Sequence, residues 1–222
     1  MLAQKDTLFP NDELCIQCQI DHPDGHSSLG NDTTTDVSVD LSLAARDDFR
    51  ALLDSKDRSD ATFVVDSKEF PVHKAIVCAR SAVFEAMFTH DLKEKATGRV
   101  DIEDIDAETF QALLEFVYTG VVSDLTGLAD RLLPAAKKYR LDGLSQACSS
   151  CLVKELTVDG AANTLVLGDL LCPDLKKSTI DFITNKVADV VVTPAWKKLA
   201  NTNKTLTIEV LTAAVLRTPG GS

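Results

Sequence analysis

Residues 59–88 read SDATFVVDSKEFPVHKAIVCARSAVFEAMF, and the change of period inside this stretch decides the fold. Thr62-Phe63-Val64-Val65 and Glu69-Phe70-Pro71-Val72 are short β-rich runs separated by Asp66-Ser67-Lys68, the pattern of a hairpin. From His73 the spacing becomes helical, with Ile76, Val77, Val83, Phe84, Met87 and Phe88 carried on two short helices. Ser81 is placed to cap the second, because its hydroxyl can accept from a free backbone N–H of the first turn. Arg99 to Ile102 is compatible with a third strand.

Downstream the pattern is helical almost throughout. Asp106 can cap a helix with the stripe Phe110, Leu113, Leu114 and Val117, and Gly120 fits its C-terminal end. Leu125, Leu128, Leu132, Ala136 and Tyr139 make a second stripe, and Leu141, Leu144, Cys148, Cys151 and Leu152 a third. Further helices are predicted around 158–171, 173–188 and 205–217, with Pro173 in a first turn, where its missing N–H deprives no carbonyl of a partner. Upstream, Ala44 to Leu53 carries Ala45, Phe49, Leu52 and Leu53 on one helical face. Residues 21–42 are rich in Asp, Ser, Thr, Gly and His and read as loop or linker, with Val37 and Val39 alternating inside it. Leu14, Ile16, Cys18 and Ile20 alternate as a strand with one buried face would. The class is α+β: a small β/α front followed by a helical run.

The chain has 222 residues, 45% apolar and 26% charged, ordinary for a globular protein and against wholesale disorder. Its net charge is −11, from 34 acids against 23 bases, and residues 1–60 alone hold 13 acids and 5 bases. No Lys/Arg stripe stands ready to neutralise phosphates, which disfavours nucleic acid and anionic membrane as partners. No run approaches the ~18 apolar residues of a membrane-spanning helix. The start, Met1-Leu2-Ala3-Gln4-Lys5-Asp6, lacks the apolar core of a secretory signal. The expectation is an intracellular protein whose six cysteines are thiols.

Cys15, Cys18, His22 and His26 are the right ligand types for zinc, but three residues between the pairs leave almost no chain to wrap the ion. They read instead as part of a buried strand followed by a solvated loop. Cys148 and Cys151 fall on a helical apolar stripe and read as small core hydrophobes. His73 lies among apolar residues and reads as a hydrogen-bonded core group, and His90 as solvated. No nucleophile elbow, phosphate-binding loop, dinucleotide fingerprint or metalloprotease motif occurs. No enzyme, metal or cofactor is expected, and the chemistry is that of interfaces.

Ser59 to Val65, then Phe70 to Ile76, then Ala79-Arg80-Ser81 with Phe84, Met87 and Phe88, resemble the BTB/POZ domain in order and spacing. Phe116-Val117-Tyr118-Thr119-Gly120 and Ala136, Tyr139, Leu141 and Leu144 continue the match. The likeness is to speckle-type POZ proteins, in which a substrate-binding MATH domain precedes the BTB domain and a BACK-like helical region follows. Thr179 to Ile183 and Pro194-Ala195-Trp196-Lys197 resemble that BACK region, and Leu8 to Ile20 the closing strands of a MATH sandwich. The resemblance implies a MATH-like remnant and linker over 1–41, a BTB/POZ domain over 42–153, a BACK-like region over 154–217 and a disordered tail over 218–222. Most of the MATH domain is expected to be missing.

The same resemblance implies a non-enzymatic, dimeric adaptor for a cullin-3 RING ubiquitin ligase. The alternative it leaves is an oligomerisation module that pairs with, and sequesters, full-length MATH–BTB relatives. Leu92-Lys93-Glu94 matches the hydrophobic-x-Glu motif that engages the cullin-3 N-terminal domain. Phe49, Leu52 and Ile76 match homodimer-interface positions, where Ala45 replaces a larger apolar residue, and Asp60 and Lys74 match paired charges beneath that interface. Leu211 stands where close relatives carry an aromatic used in BACK oligomerisation. The basic run that suggests nuclear targeting in those relatives is missing after Arg217, so nucleus and cytoplasm both stay open.

Overall fold

The computed structural model describes residues 41–90 and 97–217. Strand β1 (Ala61–Val65) pairs antiparallel with β2 (Lys68–Val72), Phe63 standing opposite Phe70. The connection is a two-residue turn: Asp66 and Ser67 both have positive φ, 50° and 65°. That is the mirror-image turn whose twist matches the strands it joins. Lys68, expected in the turn, is instead the first residue of β2.

The third strand, β3 (Arg99–Ile102), lies parallel to β1, and the sheet order is β2-β1-β3. A parallel neighbour demands a crossover connection. Helices α2 (Lys74–Arg80) and α3 (Ala82–His90) lie in it. Ser81 joins them as expected: its Oγ accepts from Phe84 N–H at 3.3 Å and donates to the Tyr139 carbonyl at 2.8 Å. The period-2 residues Phe63, Val65, Phe70, Val72, Val100 and Ile102 are all buried.

Helix α1 (Leu41–Ser55) packs against α4 (Ala107–Thr119). Asp106 caps α4, its carboxylate accepting from Thr109 N–H at 2.9 Å and from the Thr109 hydroxyl at 2.7 Å. Gly120 ends it at φ 76°, donating to Phe116 O at 2.8 Å. The predicted stripe, Phe110, Leu113, Leu114 and Val117, is buried throughout. Leu125 and Leu128 precede α5 (Ala129–Lys138) rather than riding on it. Between α5 and α6 (Asp142–Lys154), Arg140 takes φ 54° while Leu141 N–H reaches Ala136 O at 2.8 Å, a Schellman close without glycine.

The remaining helices are α7 (Ala161–Leu171), α8 (Pro173–Asn185), α9 (Val187–Val190), α10 (Pro194–Thr202) and α11 (Lys204–Arg217). The helix expected over 173–188 breaks at Lys186 (φ −129°, ψ 30°). Helix α10 was not among those expected. Thr193 caps it, accepting from Trp196 N–H at 3.2 Å, and Asn203 Oδ1 starts α11 by accepting from Leu206 N–H at 3.1 Å.

Two hydrophobic clusters fill this unit. In the first, Phe63 stacks 4.8 Å from Phe84 and 5.4 Å from Phe110, and Phe84 lies 4.7 Å from Tyr139. The second gathers Leu165, Ile183, Trp196, Leu199, Leu206 and Val210. The boundary expected after residue 153 falls at the end of α6, yet Leu175 of α8 is buried in the first cluster and Leu167 packs on it. Residues 40–222 accordingly cluster as one unit. The predicted strand over 14–20, the Cys15/Cys18/His22/His26 group and the tail over 218–222 lie outside the described residues.

Candidate interaction surface

Helix α1 presents two rows, because residues four and three apart stack on one helical face. One row is Ala45, Phe49 and Leu52: Ala45 is exposed, Phe49 is 42% exposed and Leu52 is half-buried. The adjacent row is Arg46, Arg50 and Leu53, of which Leu53 is buried and both arginines are half-buried. The structure therefore leaves the large apolar side chain of Phe49 open on α1. Ile76, assigned to the same interface by resemblance, is half-buried on α2 and packs against the first cluster.

Asp60 and Lys74 meet, though not as paired side-chain charges. Asp60 Oδ1 accepts from the Lys74 backbone N–H at 2.7 Å, at the start of α2. The Lys74 ammonium lies over the Phe88 ring, 5.4 Å from its centroid. No ion pair joins the two side chains among the described residues. An acceptor beside the N-terminal N–H groups of a helix satisfies one of the donors that have no intrahelical partner, and this is what the pair does here.

His73 is hydrogen-bonded on both ring nitrogens. Nε2 lies 2.7 Å from the Asp57 carbonyl, which can only accept, so this nitrogen carries the proton. Nδ1 lies 2.9 Å from the Tyr118 hydroxyl, and that hydroxyl accepts from the His73 backbone N–H at 2.9 Å. The network ties the chain just after α1 to the start of α2 and the end of α4.

The sequence reading missed a polar cluster beside α1. Glu115 on α4 accepts from Arg50 at 2.7 Å, from Ser123 N–H at 3.0 Å and from the Ser123 hydroxyl. Burial would raise the Glu115 carboxyl, but the hydrogen bonds from Ser123 and Arg50 outweigh it and hold the group below the usual carboxylate range. Its one sequence signal is a lone acid in the apolar run Leu113-Leu114-Glu115-Phe116-Val117.

Leu211 sits on α11, 39% exposed, on a face with Ile208 and Val215 at 64% and 71%. Cys148 is fully buried and its thiol is pushed up to about 12, by burial first and by Cys151 second. Cys151 is half-buried and also raised, with burial as the main cause. Both shifts oppose thiolate formation, as core cysteines require. Leu92, Lys93 and Glu94 lie outside the described residues. Among the described residues no group of three or more His, Cys, Asp or Glu side chains could hold a metal ion, and no helix is long and apolar enough to cross a membrane.

Residues 49–156 match the family model described as BTB/POZ domain. Over these residues the fold is that of a BTB domain, a small sheet with flanking helices, and a helical C-terminal region follows. The solved structures similar to this chain include two BTB domains. The BTB domain of zebrafish PATZ1 is 21% identical, with 52% of this chain and 95% of that one covered at a TM-score of 0.44. The BTB (Tramtrack and Bric a brac) domain of human Gigaxonin is 26% identical, with 50% and 92% covered at 0.43.

Proposed function

We propose that the chain is a dimeric BTB adaptor of a cullin-3 RING ubiquitin ligase, related to the speckle-type POZ proteins, with residues 154–217 serving as a BACK-like extension. The observation that carries the reading is the open row of α1: Phe49, 42% exposed, at the first of the residues 49–156 that match the BTB/POZ model. Burying a Phe or Leu side chain is worth about 1.5–3 kcal/mol, and a two-fold interface buries each one twice. Phe49 and Leu52, with Ile76 on α2, supply that apolar area in this reading, and Ala45 leaves the contact smaller than a larger residue would. The apolar face of α11 around Leu211 offers a second contact between copies.

The cullin contact rests on Leu92, Lys93 and Glu94, two to four residues beyond the end of α3 at His90. One apolar side chain enters a pocket and the glutamate meets a polar partner. Co-purification with the N-terminal domain of cullin-3 tests this directly. Leu92→Asp and Glu94→Lys are expected each to abolish binding while the mass of the free protein stays that of wild type. Binding that survives both substitutions, or a wild-type chain that captures no cullin-3, removes the adaptor role and leaves an oligomerisation module.

A further inference from the structure

We infer that Arg50, Glu115 and Ser123 form a polar latch that fixes the seat of α1 and so sets the strength of self-association through its Phe49 row. The inference rests on the dimer reading above and adds the residues that position its surface.

Helix α1 has little else to hold it. Among its described side chains Leu53 alone is buried. A 15-residue helix spans about 22 Å and is marginal by itself, so one apolar anchor near its C-terminal end leaves the rest of its length to be held by other contacts. Arg50 provides such a contact about one turn earlier. Its guanidinium meets Glu115 Oε1 at 2.7 Å and reaches Ser123 Oγ at 3.5 Å. That one carboxylate oxygen also takes the Ser123 backbone N–H and hydroxyl, so three donors from α1 and the post-α4 loop converge on it.

Ordinary exposed ion pairs contribute little, because water competes for both partners. This one differs in burial and in donor count: the Glu115 side chain is 15% exposed, against 36% for Arg50. Charge-assisted hydrogen bonds to a shielded carboxylate are stronger than neutral ones. Adjacent residues on a helix are about 100° apart, so holding Arg50 against α4 also fixes the direction in which Phe49 faces. A shift of α1 would spoil a self-complementary surface twice, once in each copy.

The test compares wild type with Glu115→Gln, which keeps shape and removes charge, and with Arg50→Met, which keeps the aliphatic stem. Dimer dissociation is read by sedimentation velocity well below the melting temperature. Amide exchange over residues 43–55 reports on the seat of α1 separately. Both variants are expected to dissociate about tenfold more readily, to exchange faster across α1, and to keep wild-type far-UV circular dichroism. Wild-type affinity and wild-type α1 exchange in both single variants overturn the latch. A monomeric wild type removes the dimer reading instead, and unchanged α1 exchange in Glu115→Gln then overturns the latch as well.

Discussion

Asp106 shows how much one side chain does at the head of the central helix. Its carboxylate takes the Thr109 N–H and hydroxyl, and Arg131 lies 3.2 Å away. The Thr109 backbone hydrogen bond, more than the nearby arginine, holds the Asp106 carboxyl below the usual range. Because the native value is lowered, the stabilisation is present above the ordinary carboxylate range and is lost as pH falls through the lowered native value. Asp106→Ala is expected to cost about 1 kcal/mol in denaturant unfolding at neutral pH. The gap from wild type should close in acid, and a gap independent of pH would count against the cap. This cap was legible because Asp followed by a helical stripe is a local signal. The Glu115 latch was not, since its partners lie 65 residues upstream and 8 downstream. The Asp60–Lys74 contact was legible as a meeting of two residues, but a backbone donor cannot be told from a side-chain donor in a sequence.

At the scale of elements, the period change around His73 gave the hairpin and the two short helices correctly, because both signals are local. The misplaced ends have physical reasons. Arg140 closes α5 in the left-handed conformation that glycine normally marks, so nothing in the letters announced it. Helix α10 is nine residues long, too short for a repeating apolar stripe to stand out, although its Thr193-Pro194 start was readable in retrospect. The α7–α8 junction yields a firm prediction. A Cβ on Gly168 would stand 2.5 Å from Lys176 N and 2.7 Å from Lys176 Cα, both backbone atoms that cannot swing aside. Gly168→Val is therefore expected to destabilise the protein by roughly 1–3 kcal/mol through overpacking, seen as a lower melting temperature. A variant as stable as wild type would mean that α7 and α8 do not approach this closely in solution.

At the scale of the molecule, the BTB/POZ reading survives and the division of labour after it is less sharp than the sequence suggested. Leu167 and Leu175 pack in the cluster that contains Phe84 and Tyr139, so α7 and α8 each lend a side chain to the core beneath the sheet. The central claim is self-association through α1. Sedimentation equilibrium measures it most directly: the account predicts twice the 24.0 kDa chain mass for wild type and the single-chain mass for Phe49→Asp. A wild-type mass of one chain, or a Phe49→Asp dimer as tight as wild type, would contradict it.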